Sequence, residues 1–385
     1  ERLRADRDYR PEFDYFLHLL AEGLAVVESR AGRPVMSTMC LQAPLELFRA
    51  HGIQPIRIFG GHFAAAQLAA PLTPATSCSM IRSTLGSLLS IKGGRSGVLG
   101  LVIPTTCHWV AKFPALLSLA DIELGSVLVL ESPRGRFGAT SQKKWLAEIY
   151  RLNSFLAQQT GLKLTSKGLL ASISAYREAN RVFSRLIELK RNGLLSQIWF
   201  SVIAGSFGGD DVESWTRAVS VVLASISPEK VSRIGPIVCL TGSPVFFPNF
   251  KIFRLIEEAG LNLVKDDLCS GERALTGPVH YRDPSIAGLI KALAQRYHEG
   301  CQCPVFFDNG PRLENIVLAA QKNLFQGLIF HVLKGCHQFD LESLALEKTL
   351  KEKGLKVLRL ETDGSPEDSG SLLTRLEAFR SVLSS

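Results

Sequence analysis

Short apolar runs followed by amphipathic stretches recur through the first and last parts of the chain, with a long helical-period region between them. Val35 to Cys40 reads as a strand, Pro44 to Ala50 as a helix closed by Gly52, and Ile56 to Phe59 as a second strand stopped by Gly60 and Gly61. Gly97 to Pro104 and Ser126 to Glu131 are further buried-strand patterns, with a helix-like stretch from Met80 to Leu89 before them. Between about Gln142 and Ser201 the period turns helical: Leu146, Ile149, Leu152 and Leu156 mark one helix, and Ala171 to Leu189 another. The alternation then resumes with strands at Ile234 to Leu240, Leu261 to Val264, Gly327 to Leu333 and Lys356 to Leu360. Helices are expected at Asn249 to Ala259, Ile286 to Tyr297, Leu313 to Ala320, Asp340 to Lys353 (ended by Gly354) and Leu372 to Leu383.

Strand–helix alternation of this kind predicts an α/β protein: two Rossmann-like lobes with parallel sheets, joined by a helical connector. The expected segments are an N-terminal helical stretch (1–30), a first lobe (31–140), the connector (141–225) and a second lobe (226–385). The dinucleotide fingerprint G-x-G-x-x-G is missing. Ligands of open α/β sheets bind beyond the carboxyl ends of the strands, so the cleft between the lobes is the expected site.

At 385 residues and 46% hydrophobic, the chain suits two domains and excludes disordered or collagen-like architectures. No apolar run reaches the roughly 18–20 residues that span a bilayer. Glu1 to Phe16 lacks the basic-then-apolar pattern of a secretion signal, so a soluble cytoplasmic protein is expected. The net charge of +8 is dispersed and interleaved with acids, as at Glu347-Lys348 and Lys351-Glu352-Lys353, which reads as solvated helix faces. Neither nucleic acid nor membrane is an expected partner. Gly93-Gly94-Arg95-Ser96-Gly97 only superficially resembles a phosphate loop and reads as a surface turn.

The eight cysteines change the picture. A chain of this length does not need disulfides to fold, and no C-x-x-C pair exists. Either they are buried free thiols or the fold gathers them from distant loops. Cys40 ends an expected strand, Cys107, Cys269 and Cys336 each follow one, Cys78 precedes a helix, and Cys301 and Cys303 follow one. Cys239 lies within a strand and reads as core. Seven thiols at the strand-end edges, without histidines at metal spacing, suit iron–sulfur chemistry better than zinc. Mixed Cys/His zinc ligation through His108 and His337 is the competing reading. Those two histidines, with His331, are candidate proton carriers. Glu46, Asp266 and Asp267 are candidate acceptors for loop amides or Arg273, and Arg82 a counter-charge.

Several segments together resemble the 2-hydroxyacyl-CoA dehydratase and benzoyl-CoA reductase family. They are Gly327 to Asp340 with Glu361-Thr362-Asp363, Pro366 to Asp368 and Thr374 to Phe379; Pro104 to Cys107; Cys78 before Ile81-Arg82-Ser83; Cys40 before Ala43 to Glu46; and Asp266 to Arg273. The resemblance implies that Cys78, Cys107 and Cys336 hold one 4Fe–4S cubane. The additional cysteines resemble the double-cubane branch of the family, where two such units share a sulfide as an 8Fe–9S cluster. Three of Cys40, Cys269, Cys301 and Cys303 would then hold the second cubane. The resemblance also implies a homodimer, a small-molecule substrate, and low-potential electrons from an ATP-hydrolysing iron–sulfur activator. This chain has no G-x-x-x-x-G-K-[ST] motif, so the partner would hydrolyse the ATP. The alternatives are a dehydratase-type subunit with a single 4Fe–4S cluster, and a non-catalytic iron–sulfur electron carrier. Gln302, His108 and His337 depart from the common family pattern.

Overall fold

A computed structural model describes residues 3–6, 8–23, 32–91, 98–227, 235–275, 277–322 and 324–385. The glycine-rich run 93–97 and the end of the expected 1–30 segment lie outside the described residues. The first sheet contains β1 (Val35–Thr38), β2 (Gln54–Arg57), β3 (Val98–Pro104) and β4 (Ser126–Leu130). The second contains β5 (Ile237–Gly242), β6 (Asn262–Asp267), β7 (Gly327–Leu333) and β8 (Lys356–Thr362). Both are wholly parallel, and they share one topology: β2-β1-β3-β4 and β6-β5-β7-β8. The fold is therefore α/β, with two layered Rossmann-like lobes.

Inner strands are buried on both faces, as parallel sheets require. Every residue of β1 and β7 is buried, whereas the edge strands β4 and β8 expose residues. Alternation along each strand feeds two cores. Leu101 and Ile103 pack with Ile81, Leu85 and Phe113 on one face, and Val102 packs with Met36, Phe48 and Trp145 on the other. In the second sheet Val238, Leu240 and Ile329 face one cluster, while Cys239, Leu328 and Phe330 face another.

Between the sheets run the helices Ala139–Thr160, Ser166–Arg191, Gln197–Gly205 and Val212–Ser225. Gly161, at φ +71°, closes the first of these. Thr165, Ser196 and Asp211 cap the next three by accepting from the amides of Gly168, Trp199 and Glu213. Their apolar stripes bind the lobes together: Phe183, Trp199 and Trp215 join the core that includes Val238 and Leu240, and Trp145, Ile149 and Ile173 join the one that includes Met36. Helix Ile286–Glu299, which precedes β7 in the chain, packs through Leu289, Leu293 and Tyr297 into that same first-sheet cluster. Among the described residues no helix is long and apolar enough to cross a membrane.

Candidate functional site

An order in which the strands fan out in both directions from a central pair creates a switch point at their carboxyl ends. In the first sheet that point lies between β1 and β3, and in the second between β5 and β7. Cys40 follows β1, Cys107 follows β3 and Cys336 follows β7, while Cys269 follows the adjacent strand β6. The two switch points face one cavity of about 440 Å³, lined by Cys40, Cys78, Cys107, Cys269, Cys303 and Cys336. Of the seven candidate cysteines, only Cys301 is absent from that lining. Cys239 is fully buried in the second-sheet core, and its thiol is pushed far up by burial.

Cys78, Cys107 and Cys336 pack in one cluster, and each stands at the N-terminal cap of a helix: Ser79–Leu89, His108–Ala111 and His337–Glu352. Free amides at such ends favour thiolate. The Cys107 sulfur accepts from the Val110 amide at 3.5 Å, although burial still raises its pKa to about 11. A hydrogen bond from Cys78, with help from Ser243 and the Phe339 amide, lowers Cys336 to about 7, and Cys78 is raised as the donor of that pair. Gly335 lets the two loops approach. It sits at φ +79°, and a Cβ there would lie 2.6 Å from the carbonyl oxygens of Thr76 and Ser77.

Cys269, Cys301 and Cys303 come from two loops tied by arginines. Asp266 templates the loop of Cys269: its Oδ1 accepts from the amides of Leu268 (3.1 Å) and Glu272 (2.8 Å), and its Oδ2 accepts from Lys190 Nζ (2.8 Å). Arg273 donates to the Asp267 carbonyl oxygen at 2.9 Å and to the Gln302 carbonyl oxygen, joining this loop to the Cys301–Cys303 segment. Arg136, from the first lobe, donates to the Cys301 carbonyl oxygen at 2.9 Å. Burial raises Cys269 to about 11 and Cys301 to about 12, with Arg273 opposing both shifts. Cys40 reaches the cavity from a left-handed backbone, φ +67°, that a non-glycine residue rarely adopts.

His108 and His337 line the cavity with their rings stacked, centroids 5.4 Å apart. Burial, then the neighbouring His337, lowers the His108 pKa. His331 differs: it is buried with both ring nitrogens engaged, Nδ1 at 3.1 Å from the Ser243 carbonyl oxygen and Nε2 at 2.7 Å from Thr362 Oγ1, and burial lowers it to about 4. Glu46 accepts from the Tyr297 hydroxyl at 2.7 Å, and Asp267 is paired with Arg273 and Arg312. Arg82 lines a smaller neighbouring cavity of about 130 Å³ and is not among the residues around the thiols. Sequence reasoning missed Arg57, Arg136, Trp109 and Ser243. Arg57 and Ser243 stand at strand carboxyl ends, where the rule applied to the cysteines would also have found them.

Among the described residues, no three His, Cys, Asp or Glu side chains close on a point that would hold a single metal ion. The thiols instead ring an open space. Trp109 Nε1, in its lining, is buried without a hydrogen-bond partner in the protein, as are Arg136 Nε and Nη1 and Arg273 Nη2 behind the Cys301–Cys303 segment. Buried donors left this way are costly and suit an anionic group set among them.

The family model described as 2-hydroxyglutaryl-CoA dehydratase, D-component, matches residues 40–383. YjiM of Escherichia coli (strain K12) is 25% identical over 383 residues, covering 96% of this chain and 97% of that one. The (R)-phenyllactyl-CoA dehydratase beta subunit of Clostridium sporogenes is 23% identical, covering 92% of this chain and 93% of that one. A benzoyl-CoA reductase subunit of Thauera aromatica is 23% identical, covering 82% of each chain.

Proposed function

This chain belongs to the 2-hydroxyglutaryl-CoA dehydratase D-component family, and from that premise we propose that it is an iron–sulfur reductase component with an 8Fe–9S double cubane in the cavity between its lobes. One observation carries the reading: six cysteines from both lobes line a single cavity of about 440 Å³. An all-thiol donor set suits iron–sulfur ligation. So do the unpartnered buried N–H groups of Trp109 in the cavity lining and of Arg136 and Arg273 behind the Cys301–Cys303 peptide. Cys78, Cys107 and Cys336 would hold one unit and Cys40, Cys269 and Cys303 the other. Cys303 is preferred to Cys301 because it lines the cavity.

When bound, such a group supplies low-potential one-electron chemistry. The protein's own part is to seat it and to move protons. Arg136 and Arg273 hold the Cys301–Cys303 peptide by its carbonyl oxygens and offset thiolate charge. His108 and His337, stacked beside Cys107 and Cys336, are placed to deliver protons to a small substrate. Phe59 stacks on Phe246 across the lobes, centroids 4.8 Å apart, and both rings line the cavity. Electrons would arrive from a separate ATP-hydrolysing iron–sulfur activator, and the chain would act as a homodimer.

A single-cubane dehydratase subunit is the second reading, favoured by the separate packing of Cys78, Cys107 and Cys336. Iron and sulfide analysis after anaerobic purification decides between them. About eight irons per chain is expected, about four would make the chain a single-cubane subunit, and none would sink both readings. Cys239→Ser should leave the count unchanged.

A further inference from the structure

One strong cation lines the cavity, and its hydrogen bond goes to a carbonyl oxygen instead of a thiol. Arg57 ends β2 and lines the space together with Ile56, Phe59 and Phe207. Among the described lining residues it is the one lysine or arginine, and the one carboxylate, Glu22, is solvent-exposed. Arg57 Nη1 donates to the Ala274 carbonyl oxygen at 3.2 Å, and its guanidinium carbon lies 5.7 Å from the Phe207 ring centroid. Its Nε is buried with no hydrogen-bond partner in the protein.

The acidic groups that act on it are Tyr297, Cys40 and Tyr176. Burial, reinforced by the Glu46 carboxylate, pushes both tyrosine hydroxyls up, so neither supplies a negative charge, and Cys40 is the one acidic group left beside it, its thiolate charge committed to the ligand set when that is filled. Desolvation lowers the Arg57 pKa, yet a guanidinium stays charged in proteins. A cation withdrawn from water with no carboxylate to pair it is costly. Here the fold keeps it beside open space that a ligand's charge can fill. Arg136 and Arg273 are placed differently: both donate to the peptide behind the cysteines, and neither lines the cavity.

We propose that Arg57 is an anion-recognition residue, and that the cavity takes a small substrate or product bearing one carboxylate, with its apolar body against Ile56, Phe59 and Phe207. Taking that ligand as substrate or product rests on the catalytic reading above; the binding itself does not. A guanidinium presents a fork that matches a carboxylate, and the aromatic walls give specificity for a compact apolar body.

The test is anaerobic calorimetry with butyrate and its neutral counterpart butyramide. It uses the full chain as purified and the same chain stripped of metal, with iron measured on every sample. Wild type should bind butyrate better than butyramide in both forms. Arg57→Gln should weaken butyrate about tenfold to a hundredfold while leaving butyramide binding and iron unchanged. Arg57→Lys, which keeps the charge but not the fork, should recover part of the loss. Equal binding of butyrate and butyramide by wild type would overturn the proposal. So would an Arg57→Gln chain that loses iron but keeps its butyrate affinity, since the guanidinium would then be a counter-charge to the metal centre. A chain that carries no iron as purified anaerobically, but whose butyrate binding still needs Arg57, would sink the iron–sulfur reading and keep this one.

Discussion

Cys40 sits at φ +67°, in the region where an L-residue's Cβ crowds its own backbone. Strain of this kind persists where the surroundings fix it, and it clusters at functional positions. This position, in the turn after β1, lines the cavity. Cys40→Ala keeps the strain and removes the thiol, while Cys40→Gly removes both. In urea unfolding of the metal-free chain, the glycine variant should be about 1 kcal/mol more stable than the alanine variant. Equal stabilities would mean that the conformation is relaxed. His331 gives a pH-dependent counterpart. Its folded pKa, lowered to about 4 by burial, lies below the ordinary value near 6.5, so the unfolded chain binds the extra proton between those values. Its contribution is therefore intact above about pH 6.5 and is lost as pH falls towards 4, with about 2 kcal/mol gone at pH 5. Comparing urea midpoints at pH 7 and pH 5 for wild type and His331→Gln measures it: the variant should show a shallower acid slope.

At the scale of elements, one helix end and one loop form a unit. Helix Ser166–Arg191 places Lys190 in its last turn, where the ammonium group is buried and pairs with Asp266 at 2.8 Å and Glu272 at 2.7 Å. Burial alone would lower the Lys190 pKa, but the two carboxylates outweigh it and hold the group charged. Glu272, which burial would raise, is instead held at about 2 by Lys190, Lys265 and Arg191. Lys190→Met leaves two buried carboxylates short of a cation and should cost about 3–5 kcal/mol in unfolding stability. It should also speed alkylation of Cys269, whose loop Asp266 templates. A large stability loss with no change at Cys269 would separate the ion pairs from the site. The same unit marks where sequence reading ran short. The strands and the longer helices of the two lobes were legible from hydrophobic period, whereas Phe63–Leu68, Phe113–Leu119 and Val212–Ser225 were not read as helices. β6, however, runs on through Lys265, Asp266 and Asp267, past its expected end at Val264. Charged residues read as loop unless their buried partners, here Lys190 and Arg312, are known. Likewise helix His337–Glu352 begins a turn before the expected Asp340, because its cap is a cysteine instead of one of the usual capping residues. The cysteines at strand ends were visible from the chain. The difference between Cys301 and Cys303 was not, because it depends on Arg136 and Arg273 arriving from distant segments.

For the whole molecule, the decisive feature is that neither lobe completes the cavity. Cys40, Cys78 and Cys107 come from the segments around the first sheet, and Cys269, Cys303 and Cys336 from those around the second. A group bound by both sets would cross-link the lobes. Binding to the folded state alone stabilises it by mass action, and the gain falls on the segments that supply ligands. Hydrogen exchange on anaerobic protein with and without its metal should therefore show added protection at both rims: the loops after β1 and β3 and before Ser79 in one lobe, and those around Cys269, Cys303 and Cys336 in the other. The exposed edge strands β4 and β8 should change little, since their opening does not break the cavity. Protection confined to Cys78, Cys107 and Cys336 would point to a single-cubane centre. Protection at Cys40, Cys269 and Cys303 that disappears in Cys107→Ser together with that at Cys78 and Cys336 would mean that the two ligand sets hold one shared group, because separate centres would leave the Cys40, Cys269 and Cys303 loops protected.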